Sequence, residues 1–130
     1  MKQVLIILFV GLFLGYANIY KFKILRVYDG DTFFIDIKDY PAIIGKNIGI
    51  RINGIDTPEI KRGSKESKAK GIIAKKYLMM IFEKAKKIEL TNIKRGKYFR
   101  IVADVYVDNK NVTEMMIKAG MGKEYYGGKK

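Results

Sequence analysis

Apolar and polar positions change period several times along the chain, and each change marks an element. Residues 20–27 read as a β-strand running into Tyr28-Asp29-Gly30, a tight-turn signal. Residues 32–37 form a second strand, and 39–45, which include Pro41, read as a loop. Residues 48–52 alternate as a third strand, with Ile48, Ile50 and Ile52 on one face and Arg51 on the other. From Ser64 to about Ala85 the period becomes helical. Apolar residues fall at 69, 72, 73, 77, 80 and 81, and Lys65, Lys68, Lys75 and Lys76 occupy the other face. Gly71 interrupts this helix at a cost of about 1 kcal/mol relative to Ala. Residues 87–93 and 99–107 supply two more strands, Asp108-Asn109-Lys110 a turn, and 112–119 a short amphipathic helix ended by Gly120. With no internal repeat or linker, five strands and two helices predict one compact α+β domain.

The first 17 residues belong to a different pattern. Lys2 gives a positive start, and residues 4–17 are apolar apart from Gly11, Gly15 and Tyr16. That is short of the roughly 20 residues a membrane-spanning helix needs and fits the core of a signal peptide. Gly15 and Ala17 place small residues before a cut at Asn18, which makes 18–130 the working domain. An uncleaved membrane anchor is the alternative. The expected location is outside the cytoplasm, periplasmic or extracellular, with a membrane tether only if the segment stays on.

Composition narrows the chemistry. The 130 residues contain no His, Cys or Trp, and 26 Lys+Arg stand against 13 Asp+Glu for a net charge of +13. Removing residues 1–17 takes away one lysine and no acid, which leaves +12. Without Cys or His there is no thiol nucleophile, zinc finger, catalytic triad or imidazole relay. Catalysis must rely on carboxylates, arginines, hydroxyls or an oxygen-held metal. The basic charge favours a polyanion.

Three clusters carry candidate chemistry. The first is Asp29-Gly30-Asp31-Thr32, the second runs from Arg51 to Glu59, and the third is Lys97-Tyr98-Phe99-Arg100. Each has an ordinary reading: a polar hairpin tip, a helical turn capped by Thr57 with Pro58 at its first position, and a charged edge strand. Together they suggest more. Only five arginines accompany 21 lysines, and two of the five, Arg51 and Arg100, sit in these clusters. A guanidinium grips phosphate oxygens bidentately in a way that an ammonium does not. Asp31 and Asp56 fall near the ends of strands that could neighbour one another in one sheet and share a hard cation. Glu59, beyond the stiff Pro58, could face the same cavity as a base toward water. This inventory suits phosphodiester hydrolysis.

These three stretches, with Asn111 through Glu114, Ala119-Gly120 and Tyr125-Tyr126, resemble the staphylococcal-nuclease-like thermonucleases in order and spacing over residues 27–126. The resemblance implies an OB-fold five-stranded β-barrel with flanking helices. It also implies a Ca²⁺-dependent, sequence-nonspecific nuclease that cuts DNA and RNA and leaves 3′-phosphates. On it, Asp31 and Asp56 would hold Ca²⁺ through carboxylates and Thr57 through its carbonyl. Glu59 would be the general base, and Arg51 and Arg100 would hold the scissile phosphate. Lys97, Tyr98 and Tyr126 would contact the nucleotide. The chain departs from the family pattern at Gly96 (usually Asp), Phe99 (usually Gly) and Thr113 (usually Asn), and in a longer 39–47 loop.

Lysine clusters around residues 61–70, 84–87 and 94–97 could track a nucleic-acid backbone. DNA and RNA are thus the expected partners. No protein partner is implied and a monomer is expected. The alternative from another class is a noncatalytic OB-fold nucleic-acid-binding module, which has no need of Asp31, Asp56, Glu59, Arg51 and Arg100 together.

Overall fold

β-branched and aromatic residues on alternate positions set the architecture. The computed structural model describes residues 18–128, so the segment read as a signal peptide lies outside the described residues. In chain order the elements are β1 (Phe22–Asp29), β2 (Thr32–Ile37), α1 (Ala42–Gly45), β3 (Ile48–Ile52), β4 (Gly54–Asp56), α2 (Lys65–Lys84), β5 (Ile88–Arg95), β6 (Ile101–Val107), β7 (Lys110–Asn111), α3 (Val112–Lys118) and β8 (Lys123–Tyr125). Five strands form one path in the order β1-β2-β3-β6-β5, with β3 and β6 parallel and the other neighbours antiparallel. β7 extends β6, and β4 pairs with β8 in a separate small sheet.

The ladder does not close into a continuous ring. Its two ends are drawn together at one point, where Ile19 exchanges backbone hydrogen bonds of 2.9 and 3.1 Å with Leu90 of β5. The result is the expected α+β, OB-like architecture, with a partly open barrel. Its interior is filled by alternate positions: Phe33, Ile35 and Ile37 from β2, Ile48, Ile50 and Ile52 from β3, and Ala103, Val105 and Val107 from β6. Each fully buried Ile or Phe contributes roughly 1.5–3 kcal/mol. α2 covers one opening, and Phe82 meets Phe33 edge-on with ring centroids 4.9 Å apart. No described helix is long and apolar enough to cross a membrane.

Several local expectations are corrected. The first hairpin turns at Gly30-Asp31, with Asp29 still paired to Thr32, one step later than the Tyr28-Asp29-Gly30 signal implied. The 39–45 loop contains the one-turn α1, where Pro41 at the N-cap accepts from the amides of Ile44 and Gly45. The strands β4, β7 and β8 have only two or three residues each, too few for alternation to show. Thr57 caps no helical turn. The helix starts after Ser64, whose hydroxyl accepts from the Ser67 amide at 3.0 Å.

The buried face of α2 also differs from the predicted stripe. Gly71, Ala74, Leu78 and Ile81 face inward, while Ile72, Ile73 and Met80 are exposed. The reason lies at Gly71. A Cβ there would stand 2.7 Å from the Pro58 carbonyl oxygen and 2.8 Å from that of Glu59, so the helix backbone packs directly on this loop. Small residues decide which face approaches, and larger apolar ones are turned away.

Gly71→Ala is therefore expected to destabilise despite a helix-propensity gain of about 1 kcal/mol. Backbone carbonyls cannot swing aside, and overpacking of this kind costs about 1–3 kcal/mol. Thermal melting should show a net loss, with the Pro58-Glu59 segment displaced. An unchanged or higher melting temperature would mean that the approach is not tight.

Candidate active site

The Gly30-Asp31 turn places Asp31 at the sheet's upper edge, and every neighbour holds it there. Its amide donates to Asp29 Oδ1 at 3.1 Å, which closes the turn on the preceding carboxylate. Its own Oδ1 accepts from the Thr32 hydroxyl at 3.0 Å. Its Oδ2 accepts from the Thr57 amide and hydroxyl at 2.9 and 3.1 Å. Asp31 and Thr57 are both buried.

Strand register brings in Arg51. Thr32 of β2 lies opposite Arg51 of β3, and the Ile52 amide donates to the Asp31 carbonyl at 2.8 Å. Because Ile50 and Ile52 point into the core, Arg51 points the other way, toward the turn. Its Nη1 is 3.0 Å from Asp31 Oδ2, and its Nη2 is 3.5 Å from Asp56 Oδ1 at the end of β4. Contrary to the expectation from their strand ends, Asp31 and Asp56 do not share a sheet, because β4 pairs with β8 apart from the main ladder. They meet across one guanidinium. Asn53 supports this arrangement by donating from its side chain to Asp104 at 2.8 Å and accepting the Thr113 hydroxyl at its carbonyl. Thr113 is thus a buried hydrogen-bonding residue in the place where the thermonuclease pattern has Asn.

Arg100 arrives from the β5–β6 hairpin. Tyr98 and Phe99 have φ of 56° and 61°, and the Arg100 amide donates to the Lys97 carbonyl at 3.1 Å, a type I′ turn. Side chains with a Cβ occupy this left-handed region at a cost of about 1–2 kcal/mol each. Arg100 Nε also donates to the Lys97 carbonyl at 3.2 Å. Its side chain crosses β3 at Gly49, where a Cβ would come within 3.0 Å of Arg100 Cγ.

These groups open onto one cleft of about 610 Å³. Its wall includes Asp29, Asp31, Arg51, Thr57, Glu59 and Arg100, the aromatic residues Tyr28, Phe34, Tyr98 and Phe99, and the basic Lys61 and Arg62. Asp56 lies behind Arg51 and lines a second cleft of about 520 Å³ with Lys70 and Lys123. Lys97 and Tyr126 fall outside the wall of the main cleft. Lys97 is exposed at the hairpin tip, and the Tyr126 hydroxyl lies beside Gly54.

The electrostatics are those of crowded carboxylates. Burial, reinforced by the negative charge of Asp31, pushes the Asp29 carboxyl up to about 7. Arg51 pulls in the other direction without offsetting this. The donor chemistry fits a hard divalent cation: two carboxylates converge on a shared partner, and all donors are oxygen. Among the described residues no group of three or more Asp, Glu, His or Cys side chains is arranged to hold a metal alone. A cation here would draw on Asp31, Asp56, the Thr57 carbonyl and water.

Asp29, Phe34, Tyr28 and Phe99 belong to the cleft although the sequence reading assigned them no role. Asp29 was legible as part of Asp-Gly-Asp-Thr. The aromatic residues carry no sequence signal of their own.

The model of the family described as staphylococcal nuclease homologue matches residues 49–130. A thermonuclease of Staphylococcus hyicus is 29% identical over 111 residues, covering 85% of this chain and 62% of that protein. Endonuclease YncB of Bacillus subtilis (strain 168) is 32% identical over 110 residues, covering 78% of this chain and 46% of its own length. The chain thus spans less than two thirds of the length of either relative. With the matched segment carrying Arg51, Asp56, Thr57, Glu59 and Arg100, the chain belongs to the staphylococcal nuclease homologue family.

Proposed function

We propose that this protein is a Ca²⁺-dependent, sequence-nonspecific nuclease that hydrolyses DNA and RNA phosphodiesters and leaves 3′-phosphates. The observation that carries the reading is Arg51, held between Asp31 and Asp56 in a cleft that Glu59 and Arg100 also line. Arg51 and Arg100 bind the scissile phosphate and offset the charge that gathers on its oxygens as the bond to water forms. Glu59 accepts the proton of the attacking water. A Ca²⁺ held by Asp31, Asp56 and the Thr57 carbonyl would supply positive charge beside the phosphate. Lys97, Tyr98 and Tyr126 extend contact to the strand on either side. The relatives named thermonuclease and endonuclease support this class of activity. Residues 1–17 serve as an export signal in this reading, and the exported protein would begin at Asn18.

Incubating the purified protein with plasmid and single-stranded DNA tests the reading. Cutting is expected with added Ca²⁺ and at least a hundredfold less in chelator, and the product ends should resist polymerase extension until a phosphatase is added. DNA retained at low salt but never cut with Ca²⁺ would support the noncatalytic binding module instead. Cutting that persists in chelator would refute the metal assignment.

A further inference from the structure

The hairpin that delivers Arg100 carries an aromatic residue where its backbone favours glycine. A type I′ turn selects Asn-Gly because both central residues need positive φ. This chain instead has Tyr98 and Phe99, at φ 56° and 61°. A bulky side chain held in that region is strained, and such strain concentrates at functional sites. Burial does not compensate for it, since Phe99 is 57% exposed and Tyr98 88%. Phe99 also departs from the thermonuclease pattern, which has Gly here, so its ring is a feature of this chain.

The surroundings indicate what that ring meets. Phe99 lines the cleft next to Arg100, and the Arg95 guanidinium lies 5.8 Å from its ring centroid. Tyr28 and Phe34 line the same cleft, with Lys61 and Arg26 over their rings at 5.4 and 4.0 Å. Guanidinium and ammonium groups interleaved with rings, of which Phe99 and Tyr28 are exposed, match a single strand, whose phosphates take the cations and whose unpaired bases stack on the open rings. A duplex keeps its bases stacked on each other and offers phosphates and groove edges but no free base faces.

We propose that Phe99 is a base-stacking platform that makes the cleft select unpaired strands. This rests on the nucleic-acid reading above and adds a specificity-determining residue to it. The ring acts on binding beside the phosphate held by Arg100 and takes no part in proton transfer.

The chain has no tryptophan, so Phe99→Trp gives a single tryptophan at the site, which is excited beyond the absorption of the nine tyrosines. The full protein is titrated in chelator with a single-stranded oligonucleotide, an abasic strand of equal length, and a blunt duplex. The base-bearing strand is expected to quench the emission at about tenfold lower concentration than the other two. In parallel, Phe99→Gly should bind a labelled base-bearing strand about tenfold more weakly by anisotropy, with the abasic strand little affected. Its melting temperature should rise as the turn relaxes, so weaker binding cannot be ascribed to unfolding. Equal quenching by the abasic strand, or unchanged affinity in Phe99→Gly, would overturn the platform while leaving the nuclease reading intact, provided Ca²⁺-dependent cutting persists. If no strand binds in any arm, the platform falls, and Ca²⁺-dependent cutting alone decides the nuclease reading.

Discussion

Arg51→Ala is expected to cost about 3 kcal/mol of stability and to lower DNA cutting about 10³-fold. The stability loss follows from what the guanidinium holds. Its two nitrogens sit 3.0 and 3.5 Å from Asp31 and Asp56, and all three side chains are largely buried. Removing the cation leaves buried carboxylates without that partner, beside an Asp29 whose carboxyl is already pushed up to about 7. Arg51→Lys should recover part of the stability and little of the activity, because one ammonium cannot span both carboxylates and also grip a phosphate. Arg100→Ala is the informative contrast. Its side chain makes a backbone contact to Lys97 and lies on Gly49, so cutting should fall similarly while the melting temperature changes little. Thermal melting and plasmid nicking on the three variants separate the effects. An Arg51→Ala protein that melts like the parent would refute the bridging role.

The strands were legible because alternation survives in them. Ile48, Ile50 and Ile52 already said that Arg51 must face away from the core, and Ser64 marked the start of α2. What alternation could not supply is which groups approach across the fold. The inward face of α2 is chosen by Gly71 packing on the Pro58 and Glu59 carbonyls, and a hydrophobic stripe carries no record of such a backbone approach. The strands β4 and β8 are too short to read, so the meeting of Asp56 with Asp31 through Arg51 could not be derived from shared sheet edges. The 97–100 hairpin was hidden for a related reason. Its usual Asn-Gly mark is absent, and Phe99 therefore reads as the start of a strand when it sits in the turn. For α2 and Asp56 the missing information was tertiary, for the hairpin it was an atypical turn, and all three lie at the site.

Glu59→Gln is the second large expectation: a fall in cutting rate of about 10²–10⁴-fold with fold and strand affinity kept. Glu59 is exposed and lines the cleft in a segment without regular structure, so an isosteric amide disturbs no packing. That segment is fixed at two points. Thr57 anchors one side by donating twice to Asp31, and the Gly71 backbone abuts the other. The carboxylate is thus presented from an anchored segment, and Gln retains the shape but cannot take a proton from water. Single-turnover rates, strand affinity by anisotropy and melting temperature should therefore separate cleanly, with only the first changed. If Glu59→Gln keeps its rate, the base lies elsewhere, and Asp29 becomes the next carboxyl to test. The Gly71→Ala variant approaches the same question from the other side. It leaves the carboxylate chemistry intact and moves its support, so it should lower the rate less than Glu59→Gln while lowering the melting temperature more.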